Sequence, residues 1–201
     1  EKWEFDVESF KEELKKGKAE KKTIRCALVI NPGNPGGYLS KEDQIKEIIK
    51  ASDENNVMLI DDEDLQGNVC KSELKFVSFR SVLTKMGEPW ASNLELISLH
   101  STSKGYIGEC GIRGGYLEAL NLDPFVKQAI WRYKSLDSCC NIMGQLATLM
   151  MVDEPKRGVE SEATVKAYEE EAKTTVDALN ERAAILYKEL NAMDNMTCAD
   201  F

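Results

Sequence analysis

The sequence is poor in several things at once. It has one histidine, His100, in 201 residues, so multi-histidine metal sites are off the list. It has no apolar run near the roughly 20 residues needed to cross a bilayer, and no secretory leader pattern at its start. Its six cysteines (Cys26, Cys70, Cys110, Cys139, Cys140, Cys198) show no CxxC pair and no metal spacing. They read as reduced thiols of an intracellular protein. Positive charge is scarce: 26 Lys and Arg face 35 Asp and Glu, a net charge of −9. Nucleic acid and anionic membranes are thereby excluded as main partners, and any anionic ligand needs a local positive site. Proline is rare as well, with five in the chain, two of them in one short loop.

What remains is the composition of a globular protein with a real core. Residues 9–16 are expected to form an amphipathic helix, followed by a charged turn. Residues 23–30 (TIRCALVI) are short, apolar and β-branched, which predicts a buried strand. It stops at residues 31–37 (NPGNPGG), where two prolines and three glycines forbid helix or central strand. Such a loop at a strand's C-terminal end is where ligands sit in open α/β sheets. Ser40 and Asp43 predict a capping box for a helix buried through Ile45, Ile48 and Ile49. Residues 57–60 (VMLI) and 94–100 (LELISLH) predict two more buried strands. A helix over 78–86 separates them, stopped by Gly87 and Pro89. A further strand is expected over 110–120, with Gly111, Gly114 and Gly115 allowing close backbone approach.

Asp123-Pro124 opens a helix to residue 135, and residues 144–152 give another apolar helical piece. Residues 153–158 (DEPKRG) are the boundary candidate. Beyond it a long helix is predicted over 160–191, with Val165, Tyr168, Ala172, Val176, Leu179 and Leu186 among its stripe. Residues 196–201 read as the start of a strand.

Two stretches carry chemistry. Residues 61–64 (DDED) put four carboxylates at the end of an apolar strand, costly if buried without partners. Oxygen clusters suit Mg2+ or Ca2+, but adjacent strand residues alternate faces and the EF-hand spacing is absent, so no metal is expected. Residues 98–115 (SLHSTSKGYIGECGIRGG) hold Ser101, Ser103 and Lys104 after an apolar run, with Arg113 in a glycine-rich setting. A lysine among small hydroxyls and glycines suits an amine nucleophile that forms a Schiff base with an aldehyde. Hydroxyls and a guanidinium nearby suit a phosphate. Aldehyde and phosphate in one ligand describe pyridoxal 5′-phosphate. The alternative is an ordinary exposed lysine after a strand.

The motifs NPGNPGG (31–37), DDEDLQGNVC (61–70) and HSTSKGYIGECGIRGGY (100–116) resemble the fold type I aminotransferases, most closely the alanine aminotransferases. The resemblance implies an α/β fold: part of a large pyridoxal-phosphate-binding domain, with a mostly parallel sheet flanked by helices, over 1–153. An interdomain helix and the beginning of a small C-terminal domain would fill 154–201. It implies transfer of an amino group from L-alanine to 2-oxoglutarate, giving pyruvate and L-glutamate.

Carried over, Lys104 would bind the cofactor covalently and move protons. Asp62 would hold the pyridine nitrogen protonated. Asn34 would bond the phenolic oxygen, and Ser101, Ser103 and Arg113 would bind the phosphate. Asp61 and Asp64 are left to exposure. The partners implied are an amino acid and a 2-oxo acid, with a homodimer for the intact parent and a cytoplasmic or mitochondrial location.

The chain departs from that pattern at Gly36, where the family has threonine, and at Leu65 and Cys70, where it has aromatics. The family's Cys-Pro-Pro is Cys139-Cys140-Asn141 here. The family's first phosphate loop, stacking aromatic and carboxylate-clamping arginine lie outside the chain, which looks like the middle of a subunit. Little transaminase activity is expected of the isolated chain. The competing expectation is a truncated, non-catalytic homologue on the same scaffold.

Overall fold

The structure, a computed structural model, describes residues 4–69, 74–136 and 139–198. Its centre is a four-stranded sheet in chain order: β1 (Cys26–Ile30), β2 (Met58–Asp62), β3 (Leu96–Ser101) and β4 (Gly115–Leu120). The first three strands are parallel, and β4 runs antiparallel to β3. Each parallel step needs a crossover, and helices supply it. Helix α2 (Glu42–Glu54) joins β1 to β2, while α3 (Phe79–Met86) and the short α4 (Trp90–Asn93) join β2 to β3.

The apolar runs read as buried strands, but β1 is covered on one face only, with Val29 its single buried residue. Val29, Leu59 and Leu96 face Ile45, Ile48 and Ile49 of α2 and Phe79, Val82 and Leu83 of α3, all buried in one cluster. Side chains alternate along a strand, so Leu28 points to the opposite face and is 59% exposed. Helix α1 (Val7–Ala19) packs beside this layer through Leu14 and Phe10. Its first turn is fixed by Asp6, whose carboxylate accepts from the Glu8 and Ser9 amides at 3.0 and 3.3 Å. Lys11 bridges to Glu47 of α2 at 2.7 Å.

After β4 come α5 (Pro124–Lys134), α6 (Ile142–Val152) and the long α7 (Glu162–Asn191). Asp123 caps α5, and Pro124 fills its first position, where a missing N–H does no harm. Among the described residues no helix is long and apolar enough to cross a membrane.

Three local expectations change. Ser40 does not cap α2: it is buried, and its N–H is donated to Asn31. The N-cap is Lys41, whose N–H is donated to Gln44. The strand expected over 110–120 is shorter, because Cys110–Ile112 is a 3-10 turn and Arg113 is left-handed, at φ 61°. A residue in that region cannot continue a ladder. Residues 196–198 are irregular, and the rest of the strand expected there lies outside the described residues, as does Cys70.

Candidate functional site

Parallel strands bring their C-terminal ends to one edge, and in this chain those ends carry the polar motifs. Strand β1 delivers the NPGNPGG loop, β2 ends at Asp62, and β3 ends at Ser101. Register aligns Ile30 with Asp62 and Asp62 with Leu99. This is the edge where open α/β sheets place ligands.

The first loop is held from inside. Asn31 is fully buried; its Oδ1 accepts from the Ser40 amide at 3.0 Å and its Nδ2 donates to the Val77 carbonyl at 3.4 Å. The Tyr38 hydroxyl donates to the Ile30 carbonyl at 3.2 Å. Its ring lies where a side chain on Gly33 would go, 2.0 Å from an added Cβ, so only glycine fits. Asn34 stands exposed at the tip of this fold.

The acidic turn divides between two environments. Asp61 is fully buried beside Ser98 and Glu63, and among the described residues its carboxylate oxygens have no well-aligned hydrogen-bond partner. Glu63 is also buried, accepting from the Phe79 amide at the start of α3 at 2.8 Å. Burial pushes Asp61 up to about 6. Burial, reinforced by the Asp61 charge, pushes Glu63 up to about 8. Exposure therefore does not account for Asp61: β2 runs on through Asp62, so Asp61 keeps the core-facing side of the alternation.

Asp64 is not left to solvent either. One oxygen accepts from both the Ser101 amide, at 2.8 Å, and the Ser101 hydroxyl, at 2.6 Å. Asp62 is half-buried, and its Oδ1 accepts from the Asp64 amide at 3.2 Å. Asp62, Asp64, His100 and Ser101 line a cavity of about 790 Å3, shared with Tyr116 and Trp131. Burial holds the His100 imidazole below its ordinary value, opposed by the charges of Asp64 and Asp62.

The lysine loop is strapped on both sides. The Thr102 amide and hydroxyl donate to the Gly114 carbonyl at 3.1 and 3.3 Å, continuing the β3–β4 pairing. Arg113 therefore stands on the same hairpin as Ser101, Ser103 and Lys104. Helix α6 pins its backbone: an added Cβ on Gly114 would meet the Gly144 carbonyl at 2.4 Å. On the other side Asn68, in the 3-10 turn Gln66–Asn68 that follows the acidic residues, accepts from the Gly105 amide at 2.8 Å, which ties that turn to the residue after Lys104. Tyr106 bonds Tyr168 of α7, with the rings edge-on at 5.9 Å, and donates to Glu154 at 3.1 Å.

Of the six residues singled out from sequence, Asp62 and Ser101 share the cavity lining. Ser103 joins them through its amide, which donates to the Ser101 hydroxyl at 3.0 Å. Lys104, Arg113 and Asn34 are exposed outside that lining, and Arg113 donates to the Cys110 carbonyl at 3.0 Å. Sequence reasoning missed Asn31, Asp64 and Asn68. Asn31 had a local signal, since an Asn side chain before a tight loop caps backbone amides. Asp64 and Asn68 had none, because each partner lies 37 residues away.

The donor set fits a phosphorylated aldehyde of a pyridine. It offers an accessible amine, a carboxylate with lone pairs to spare, an exposed guanidinium and an exposed amide on one sheet edge. Two details fit less well: Leu65 brings no hydroxyl, and the donors of Ser101 are already engaged.

Known proteins agree with this architecture. The chain is 37% identical to alanine aminotransferase 2 of Xenopus laevis over 199 residues, which is 98% of this chain and 36% of that protein. It is 34% identical to glutamate–glyoxylate aminotransferase 1 of Arabidopsis thaliana over 198 residues, 98% of this chain and 40% of that protein. The solved alanine aminotransferase of Pyrococcus furiosus superposes with a TM-score of 0.73 at 22% identity, covering 98% of this chain and 44% of that one. The chain thus spans less than half the length of these relatives. The family described as aminotransferase class I and II matches residues 1–200, and this chain belongs to that family.

Proposed function

We propose that the chain carries the lysine-bearing part of a pyridoxal 5′-phosphate site in an aminotransferase that moves an amino group from L-alanine to 2-oxoglutarate. One observation carries the reading: three parallel strands end side by side in the loops that hold Asn34, Asp62 and Lys104. When bound, the cofactor supplies an aldehyde for covalent capture and a ring that disperses the electrons left by a departing proton. Lys104 would supply the nucleophilic amine that holds the cofactor and, once released, would move a proton as general base and acid. Asp62 keeps a proton on the ring nitrogen by pairing its carboxylate with the positive charge. Arg113 and Ser101 would bind the phosphate, with Ser103 as a helper, and Asn34 would donate to the phenolic oxygen. An amino acid and a 2-oxo acid are the substrates, and the intact parent is a homodimer. The domain division falls at residue 153. The location is cytoplasmic or mitochondrial; relatives include proteins named mitochondrial.

The test is chemical. The full chain is incubated with pyridoxal 5′-phosphate, reduced with borohydride, digested and mapped by mass. The adduct should sit on Lys104 and disappear in Lys104→Ala. An adduct spread over surface lysines, unchanged by that substitution, would refute the assignment.

A further inference from the structure

A serine hydroxyl has one proton to give, and a backbone amide has one. At Ser101 both are given to the same Asp64 oxygen, at 2.6 and 2.8 Å. The lone pairs of the Ser101 hydroxyl are drawn on too, since the Ser103 amide donates to them at 3.0 Å. The donors expected to face a phosphate are therefore spent inside the chain. Their acceptor is a carboxylate, and its surroundings supply little positive charge. The Asp64 oxygen lies 3.8 Å from His100 Nδ1, but burial favours that imidazole's neutral form. Asp62, whose own oxygen accepts from the Asp64 amide at 3.2 Å, adds negative charge. The Asp64 side chain is 21% exposed and lines the same cavity as Ser101, so an incoming anion can reach it.

The geometry points to Asp64 as a built-in anion that occupies the Ser101 donors, so that any phosphate-bearing ligand engages Ser101 only by displacing it. Two anions cannot share those protons without repelling each other at close range in a partly dry site. Phosphate engagement is thus an exchange, and Asp64 sets its affinity. The identity of the physiological ligand rests on the cofactor reading above. The exchange itself does not.

Inorganic phosphate is the probe, titrated into the full chain. The Ser101 amide and the Asp64 carboxyl carbon are followed together by NMR. Displacement requires both signals to move along one curve with one midpoint. In Asp64→Asn the acceptor keeps its shape but loses its charge. The Ser101 midpoint should then fall about tenfold, the loss of one charge-assisted bond. Asp64→Ala, which frees both donors, should lower it at least as far and stands in if the asparagine variant melts early. A Ser101 signal that titrates while Asp64 stays still would overturn the inference. So would a midpoint unchanged in both variants, or a Ser101 signal that moves in none of the three proteins. Borohydride mapping keeps the two ideas apart. A missing Lys104 adduct with the phosphate exchange intact sinks only the cofactor reading. A Lys104 adduct with no Asp64 effect sinks only the exchange.

Discussion

The layer formed by α2, α3 and one face of the sheet differs sharply from the helices that follow β4. In the first, Phe79, Ile45, Ile48, Ile49, Leu96 and Val82 are fully out of water. In the second, α5 buries none of its residues, α6 only Gly144 and α7 only Val165. Trp131 is 65% exposed, and Ile142, Leu146, Leu149 and Met150 are exposed as well. Apolar exposure on this scale in adjoining helices is unlike a finished monomer surface. The two regions also differ in how polar groups are treated. The strand ends bury the Asp61 and Glu63 carboxylates and hold Glu63 and Asp64 with backbone amides, whereas the late helices rely on caps and exposed ion pairs. The first layer can stabilise itself by burial. The second draws its order from its attachment to the hairpin after β3, through Gly114 and Gly144 and through Tyr106 and Tyr168.

The largest expected effect breaks the first region alone. Phe79→Ala removes a fully buried ring at the start of α3, from the cluster it shares with strand and α2 side chains, and should cost about 3–5 kcal/mol of unfolding free energy. Trp131→Ala, at a still larger side chain, should change stability by no more than about 0.5 kcal/mol. Chemical denaturation of both variants measures the contrast. A loss of several kcal/mol at Trp131 would show that something covers this face in solution, and the comparison would fail.

That contrast also shows what was legible in the chain. The buried strands and α2 announced themselves because β-branched runs and the Ile45, Ile48, Ile49 spacing report one-sided burial. Asp123-Pro124 was legible because caps are local chemistry, whereas the Ser161 cap sets the start of α7 two residues later than the expected 160. The site motifs were legible as residue types, but their contacts were not. Asp64 meets Ser101 only because β2 and β3 are neighbours, a fact of topology that no window of sequence contains. Asp61 was assigned to exposure for the same reason, since its burial depends on which face α3 covers. The shortened fourth strand depends on the left-handed turn at Arg113, a residue with no special preference for that conformation.

A middle-sized effect comes from the buried carboxylates, the feature that most separates the strand ends from the late helices. Glu63 rises to about 8 and Asp61 to about 6, from 4.5 and 3.8. Each folded value lies above the unfolded one, so the folded chain holds more protons between them. Stability is then fullest below the unfolded values and is lost as pH rises through about 8. The depressed His100 works the other way below its unfolded value of 6.5, so thermal melts should show the decline from about pH 6.5 to pH 8, and Glu63→Gln should flatten it. A melting temperature that climbs over this interval in the unaltered chain would contradict the buried, protonated assignment.

The smallest effect probes the late helices, where burial does least. Ser161 caps α7 by accepting from the Thr164 amide at 3.1 Å, and Ser161→Ala should cost about 1 kcal/mol. The loss should stay local. Val165, the one buried residue of α7, lies in the turn that this cap secures, and Tyr168 follows it toward Tyr106. Freeing the cap should therefore speed hydrogen exchange at Thr164 and Val165 while the amides of β2 and β3 keep their protection. If exchange at the central strands rises to the same extent, α7 and the sheet unfold as one cooperative unit. The division between a self-stabilised layer and dependent helices would then have to be abandoned.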